Sequence, residues 1–296
     1  MRELWLQMEG RPGWLAGGAL VVGAVLTAIV FLFVGGDGSE PQGLPTTVAL
    51  STVTTATAGD STTIPAQEPT LPPTTPTTIR AAPVSASPLT GEPLASSSTQ
   101  GVMAVKVDNA RAARPQIGLD TAGIIIEVPV EGGLTRFIAL YFGELPPLVA
   151  PVRSVRPVDA DLLAPFRPLF VHTGGRDFVM RLIDASGVRS FDIREAAFQK
   201  LNRPAPHDLG IAPGDVALLL GGPPAVEVLP FGITGVTGVE ATEVTIPFSA
   251  VTEVSWSYTG SRYRRSQNGE PHFVLPAVDA EPAVLEVDTV LVLHAA

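Results

Sequence analysis

From residue 101 onward, short apolar runs alternate with turn-forming residues, and the period of each run predicts its element. GVMAVKVDN (101–109) puts Val102, Ala104 and Lys106 on one parity and Met103, Val105 and Val107 on the other, which predicts a strand. AGIIIEVPV (122–130) is apolar on both parities, as expected of a central strand covered on both faces. EGGLT then supplies a glycine turn and RFIALYFGEL a second strand, so the two predict a β-hairpin. VDADLLAPF (158–166) reads as one short helix, and PLFVHTGG (168–175) as a strand running into a glycine loop. RDFVMRLIDAS (176–186) carries Phe178, Val179, Leu182 and Ile183 at helical spacing and is closed by Gly187. IREAAFQKL (193–201) predicts another short helix.

Beyond a Gly- and Pro-rich connection over 213–240, the period changes. ATEVTIPF, AVTEVSWSY and SRYRRSQ are short β segments joined by turns such as TGS and NG, and VLEVDTVLVLHAA is a last strand. Together they predict a small antiparallel β module. At the other end of the chain, Trp14–Val34 is 21 residues without a charge, and as a helix it spans roughly 30 Å. Arg2 and Arg11 precede it, and Asp37 and Glu40 follow it. This predicts an uncleaved signal-anchor with its N-terminus cytoplasmic and the bulk of the chain outside the membrane. The alternative is a cleaved signal peptide, although no A-x-A site follows. Residues 41–90 hold 14 Thr and 9 Pro and cannot bury enough apolar surface to offset their ordering entropy, so they read as a disordered stalk.

The expected organisation has five parts. Residues 1–36 are a cytoplasmic tip and transmembrane signal-anchor, and 37–87 a disordered Thr/Pro-rich stalk. Residues 88–212 are a mixed α/β domain, 213–240 a connection, and 241–296 a β-rich domain. The expected fold class is α+β, preceded by one transmembrane helix and a disordered stalk.

Composition narrows the chemistry. The chain has no Cys, which excludes disulfides, thiol nucleophiles, thiolate metal sites and a lipid-modified Cys within it. The net charge of -10 is uneven: residues 101–212 hold 13 basic and 12 acidic side chains, residues 213–296 only 3 against 10. No continuous basic face follows from this, so nucleic acid is not an expected partner. The expected partners are the membrane, reached through a single-pass anchor, and a cell-wall polymer or envelope protein.

VDNARAARPQIGL, EVPVEGGLTRFIALY, APVRSVRPVDADL, VHTGG and RPAPHDL, in that order, resemble the YerB-like family. These are bacterial envelope proteins, often lipoproteins, grouped as a domain of unknown function. SWSYTGSRYRRSQNGEPH resembles that family's second, β-rich domain. The resemblance brings no established activity, and whether this chain is an enzyme stays open. Family members usually continue with further strands past the point where this chain stops, which leaves open whether the C-terminal domain is truncated.

The resemblance implies a cluster of side chains. Asp108, Asn109, Arg114, Arg136, Arg153, Ser154 and Arg156 are the expected ligand-binding set. Glu127, Glu131, His172 and His207 are the candidates for acid–base catalysis. Arg153 and Arg156 suit a carboxylate or phosphate held bidentately. They equally suit the protein's own Glu127, Glu131, Asp159 or Asp161. Glu127 and Glu131 raise the possibility of a glycosidase pair, which needs two carboxyls roughly 5–10 Å apart; ion pairing is the alternative. His172 reads either as a catalytic group or as a capping or core histidine, and His207 sits in the rigid PAPHD loop. No metal-ligand spacing, phosphate loop or G-x-S-x-G occurs, so no metal and no cofactor is expected. TGGRDF offers an anion the start of a helix or is a plain turn. In RYRR (262–265), Tyr263 and Arg265 share one face of a predicted hairpin and Arg262 and Arg264 the other, with a solvated face as the default. His272 and His294 read as ordinary surface or strand residues.

Overall fold

The computed structural model of this chain describes residues 27–33, 84–196, 198–221, 229, 231 and 238–295. In chain order, its principal elements in the first part are β1 (Thr27–Phe33), β2 (Met103–Asp108), β3 (Gln116–Ile117), β4 (Ile124–Pro129) and β5 (Thr135–Tyr141). There follow α1 (Val158–Leu163), β6 (Leu169–His172), α2 (Asp177–Ala185), β7 (Arg189–Asp192) and α3 (Ile193–Ala196). The last part holds β8 (Glu243–Ser249), β9 (Thr252–Tyr258), β10 (Tyr263–Gln267), β11 (Phe273–Leu275), β12 (Glu286–Val287) and β13 (Thr289–Ala295).

One seven-stranded sheet, in the order β13-β1-β4-β5-β2-β6-β7, organises the molecule. The β4–β5 hairpin is antiparallel, with Ile126 opposite Ile138, and β2 runs antiparallel to β5, with Asp108 opposite Arg136. β2, β6 and β7 are parallel to one another. Both faces of this sheet are covered, which explains why AGIIIEVPV is apolar at every position. Ala104, Ile124, Ile126, Ile138 and Phe170 pack towards α1 and α2, against Leu163, Val179 and Ile183. The opposite parity, with Val105, Val107, Ile125, Phe137 and Ala139, packs against Val254, Trp256, Val274 and Val287 of the C-terminal strands. Those strands form a second antiparallel sheet, β8-β9-β10, with β12 also paired to β10. β11 runs parallel to β3, with Val274 opposite Gln116.

Two expectations are overturned. The class is mainly β and not α+β: among the described residues strand makes up 41% and helix 16%. The helices are short for local reasons. α1 lasts six residues and meets Pro165 just beyond its end. α2 closes at Gly187, whose φ of 74° a residue with a Cβ adopts at a cost. The predicted helix over 193–201 keeps four residues as α3 before Gln199–Lys200 pairs as a strand with Leu209–Gly210.

The second correction concerns the expected transmembrane helix. Thr27–Phe33, the later part of the uncharged run, is strand β1, paired antiparallel with β13 on one side and β4 on the other. Among the described residues no helix is long and apolar enough to cross a membrane. The expected fold of one transmembrane helix followed by an α+β head, and with it the helical single-pass anchor, is therefore withdrawn. An unbroken apolar run fits a central strand as well as a helix, because periodicity cannot separate them. TAIVFLF is also rich in the β-branched and aromatic residues that strands favour. Residues 14–26 and 34 of that run lie outside the described residues. So does the expected stalk up to residue 83; its last residues include Val84–Ala86, a strand paired with Pro93–Ser98.

Candidate functional site

Strand alternation sorts the expected site residues into two groups on opposite faces of the main sheet. Adjacent residues of a strand point to opposite sides. Asp108, which ends β2, therefore faces the helices, while Asn109 just beyond it turns to the C-terminal sheet. The same alternation on β4 and β5 sends Arg136 to the helix side and Glu127 and Thr135 to the other.

On the C-terminal side the polar groups form a closed, buried network. Glu127 Oε1 accepts from Arg265 Nη2 at 2.7 Å, from Thr135 Oγ1 at 2.7 Å and from Asn109 Nδ2 at 3.2 Å. Glu127 and Arg265 are both fully buried. Arg265 Nη1 also donates to His272 Nδ1, and since an arginine can only donate, that nitrogen carries no proton. His272 Nε2 then donates to Gln116 Oε1 at 2.9 Å. Burial, with Arg265 and Arg114 nearby, pushes the His272 pKa well below 6.5. Arg114 caps the network from Nε to Asn109 Oδ1 at 3.2 Å; burial and then Arg265 lower its pKa to about 10. This arrangement seals two sheets together and leaves Glu127 no access to a substrate. The solvated reading of Arg265 and the surface reading of His272 do not hold. Tyr263, Arg265 and Gln267 are the buried parity of β10, while Arg262 and Arg264 pair outside with Asp288 and Glu286.

On the helix side the remaining groups surround an open cleft of about 670 Å³ at the carboxyl ends of β2 and β6. Crevices at such strand ends are where open α/β sheets bind ligands. Arg153, Arg156, Arg176 and Arg194 line it, with Glu131 and Asp208 as acidic members. Each arginine raised from the pair at 153 and 156 holds a carboxylate of the protein. Arg156 donates from Nε and Nη2 to Glu131 Oε2 at 2.8 and 2.7 Å, and its Nη1 reaches Ser154 and Val155 carbonyls. Arg153 Nε lies 3.1 Å from Asp108 Oδ2. Arg194 pairs with Asp192 at 2.5 Å.

Two cations in this region have no carboxylate within ion-pairing distance among the described residues. Arg176, which precedes α2, stacks over the ring of Phe178 at 5.8 Å. Arg136 is only 7% exposed and donates from Nη1 to Ser154 O at 2.8 Å and Ser154 Oγ at 3.3 Å. Burial, followed by repulsion from Arg156 and Arg153, lowers its pKa to about 10. Beneath them, Lys106 and Asp159 form a fully buried ion pair at 2.7 Å. The Asp159 Oδ2 also accepts from Arg156 N at 2.8 Å, so the pair fixes the loop that carries the arginines.

His207 lies beside the cleft, between the lining residues Pro206 and Asp208. Its Nδ1 lies 2.7 Å from Asp108 Oδ2, the oxygen that Arg153 also contacts. His172, by contrast, is buried at the end of β6 and accepts from Gly174 N at Nδ1, 2.8 Å. Burial lowers its pKa to about 4, so at neutral pH it is an uncharged loop-shaping group. Glu127 and Glu131 face different sides of the sheet, and the Glu131 side chain is 70% exposed, so they do not flank one substrate. The structure thus places Glu131, Arg153, Ser154 and Arg156 in the cleft lining, joins Asp108, Arg136 and His207 to that lining through Arg153 and Ser154, and takes Asn109, Arg114 and Glu127 away to the seal. Sequence reasoning did not find Thr135, Gln116, Gln267 and His272 in the seal, or Phe178 and Arg194 at the cleft. The one available signal was strand parity, which already separated Arg265 from Arg264.

The comparisons with known proteins agree with this architecture. Residues 89–217 match the family described as "Protein of unknown function (DUF3048) N-terminal domain". Over 72 residues the chain is 46% identical to "Putative lipoprotein YerB" of Bacillus subtilis strain 168, a match covering 24% of this chain and 22% of that protein. The crystal structure of YerB protein from Bacillus subtilis superposes with a TM-score of 0.52 at 22% identity, covering 67% of this chain and 79% of that one, a likeness of fold. These matches, together with the order of its motifs, support a YerB-like family for this chain, with the similarity to the DUF3048 N-terminal domain confined to residues 89–217.

Proposed function

We propose that this chain is an extracytoplasmic, membrane-associated protein of the cell envelope that holds an anionic wall ligand in its arginine cleft. Its relative in Bacillus subtilis, by the lipoprotein name that protein carries, supports the location. The observation that carries the binding reading is the surplus of cations: exposed Arg176 in the cleft lining and buried Arg136 behind the lining residue Ser154 stand beside the three paired arginines without a carboxylate of their own. A buried guanidinium left without a counter-charge is costly, and an incoming anion removes that cost. Guanidinium forks match phosphate or carboxylate oxygens two at a time. Phe178, 46% exposed on the cleft wall, adds a flat apolar surface for a sugar or other ring. A cleft of about 670 Å³ suits a ligand of one or a few rings.

Thermal unfolding of the full chain with inorganic phosphate, muropeptides and phosphorylated wall polymers tests this. A ligand at 100 times its dissociation constant adds about 2.7 kcal/mol of stability. The expected result is a rise in Tm with at least one of these compounds that Arg176→Ala reduces and Arg153→Ala/Arg156→Ala abolishes. No shift with any compound, or a shift untouched in these variants, rejects the cleft as the binding site and points to a protein partner.

A further inference from the structure

We infer that the cleft hydrolyses a phosphate ester, with His207 as its general base and Asp108 as the residue that positions it. The inference rests on the anion-binding reading of the cleft. Asp108 Oδ2 accepts from His207 Nδ1 at 2.7 Å, and Asp108 Oδ1 accepts from Ala110 N at 3.1 Å, which pins the carboxylate. A carboxylate can only accept here, so Nδ1 carries a proton, and the tautomer this selects leaves the lone pair on Nε2. Nε2 has no hydrogen-bond partner among the described residues and is not a sealed buried atom. The His207 side chain is 15% exposed, and its chain neighbours Ala205, Pro206, Asp208 and Leu209 line the cleft. A histidine held at one nitrogen by a carboxylate and open at the other is the arrangement of a general base.

The second observation is that Arg153 and His207 share one oxygen of Asp108, so guanidinium and imidazole must be neighbours. Arg153 Nη1 donates to Pro206 O at 3.2 Å, which ties it to the same wall. The group that holds negative charge and the group that takes a proton therefore lie side by side, Arg153 in the cleft lining and His207 next to it. In a bound carboxylate the anion is only a handle, whereas in a phosphate ester the charged group is itself the reacting centre. That favours the phosphate ester. In the step, a water oxygen forms a bond to phosphorus while Nε2 takes its proton. The bond from phosphorus to the ester oxygen breaks, and the imidazolium returns the proton to the departing oxygen. One water is consumed and no other co-reactant is needed. Arg153 and Arg156 balance the charge on the phosphoryl oxygens, with Arg136 behind Ser154 adding positive potential.

The test uses the full chain with p-nitrophenyl phosphate and bis(p-nitrophenyl) phosphate as substrates and inorganic phosphate as the binding probe. Turnover of at least one ester is expected. His207→Gly should lower kcat about 100-fold or more while phosphate still raises its Tm, and free imidazole should restore part of the rate. Asp108→Asn should lower kcat with KM little changed and should not respond to imidazole. Nitrogen-15 NMR of the His207 ring should show the Nδ1-protonated form in the wild type and a mixture of forms in that variant. If phosphate stabilises the wild type but neither ester turns over, or if turnover survives in His207→Gly, the catalytic inference fails and the cleft stands as a binding site. If phosphate does not stabilise the chain at all, both readings fail together.

Discussion

Strand parity decided what each polar side chain could do. Asp108 and Asn109 are neighbours in sequence and belong to different sites, one at the open cleft and one in the seal. Within the seal, breaking the Glu127–Arg265 pair leaves a charge buried without a partner, at a cost of about 3–5 kcal/mol. Glu127→Ala should destabilise the chain by that amount in a denaturant titration. Glu127→Leu/Arg265→Met should recover most of the loss, because both charges leave together; a double variant as unstable as the single would contradict this account. Acid should act through the buried histidines. His172, with a pKa of about 4, and His272, well below 6.5, both have folded values under the unfolded one near 6.5. Unfolding therefore takes up protons between those values. Their contribution is complete above pH 6.5 and is lost as pH falls towards the folded values. Between pH 6.5 and 5 most carboxylates stay ionised in both states, so the fall there, roughly 1 kcal/mol per histidine per pH unit, belongs to the histidines. Thermal melts across that window should show it, with a shallower slope in His172→Gln.

At the scale of elements, most strands of the folded part were legible because their apolar spacing matched their burial. β2, β4, β5, β8, β9 and β10 lie where period and turn residues placed them. The short helices were legible too, but their lengths were not, since Pro165, Gly187 and the pairing of Gln199–Lys200 end them early. The β4–β5 turn shows how an element serves the site. Gly133 has a φ of 72°, and a Cβ there would sit 2.8 Å from both Ser249 Oγ and Val251 Cγ2. Ser249 Oγ also donates to Gly133 O at 2.6 Å, so this turn, which carries Glu131 towards Arg156, is docked on the second sheet. Gly133→Ala should destabilise by more than about 1 kcal/mol, whereas Gly132→Ala, with open space around it, should cost only its backbone strain. Equal effects of the two substitutions would argue against the docking.

At the scale of the molecule, the two sheets share one core: Trp256 and Val254 pack in the same cluster as Val107 and Phe137, and Arg265 reaches across to Glu127. Thermal unfolding of a Trp5→Phe/Trp14→Phe variant, monitored by Trp256 fluorescence and by far-ultraviolet circular dichroism, should therefore give one coincident transition. Two separated transitions would show that the sheets are independent. The sequence by itself determined the local elements, the exclusion of cysteine chemistry, the resemblance to a family and the pool of charged residues that could form a site. These follow from side-chain period, from composition and from motifs that are contiguous in the chain. Tertiary structure decided the rest. Whether an uncharged apolar run is a helix or a strand depends on which strands stand ready to pair with it, as β4 and β13 do with Thr27–Phe33. Which carboxylate meets which arginine depends on contacts between residues as far apart as 127 and 265. The division of one set of polar residues into a sealed network and an open cleft depends on what covers each face of the sheet, and no local pattern carries that information.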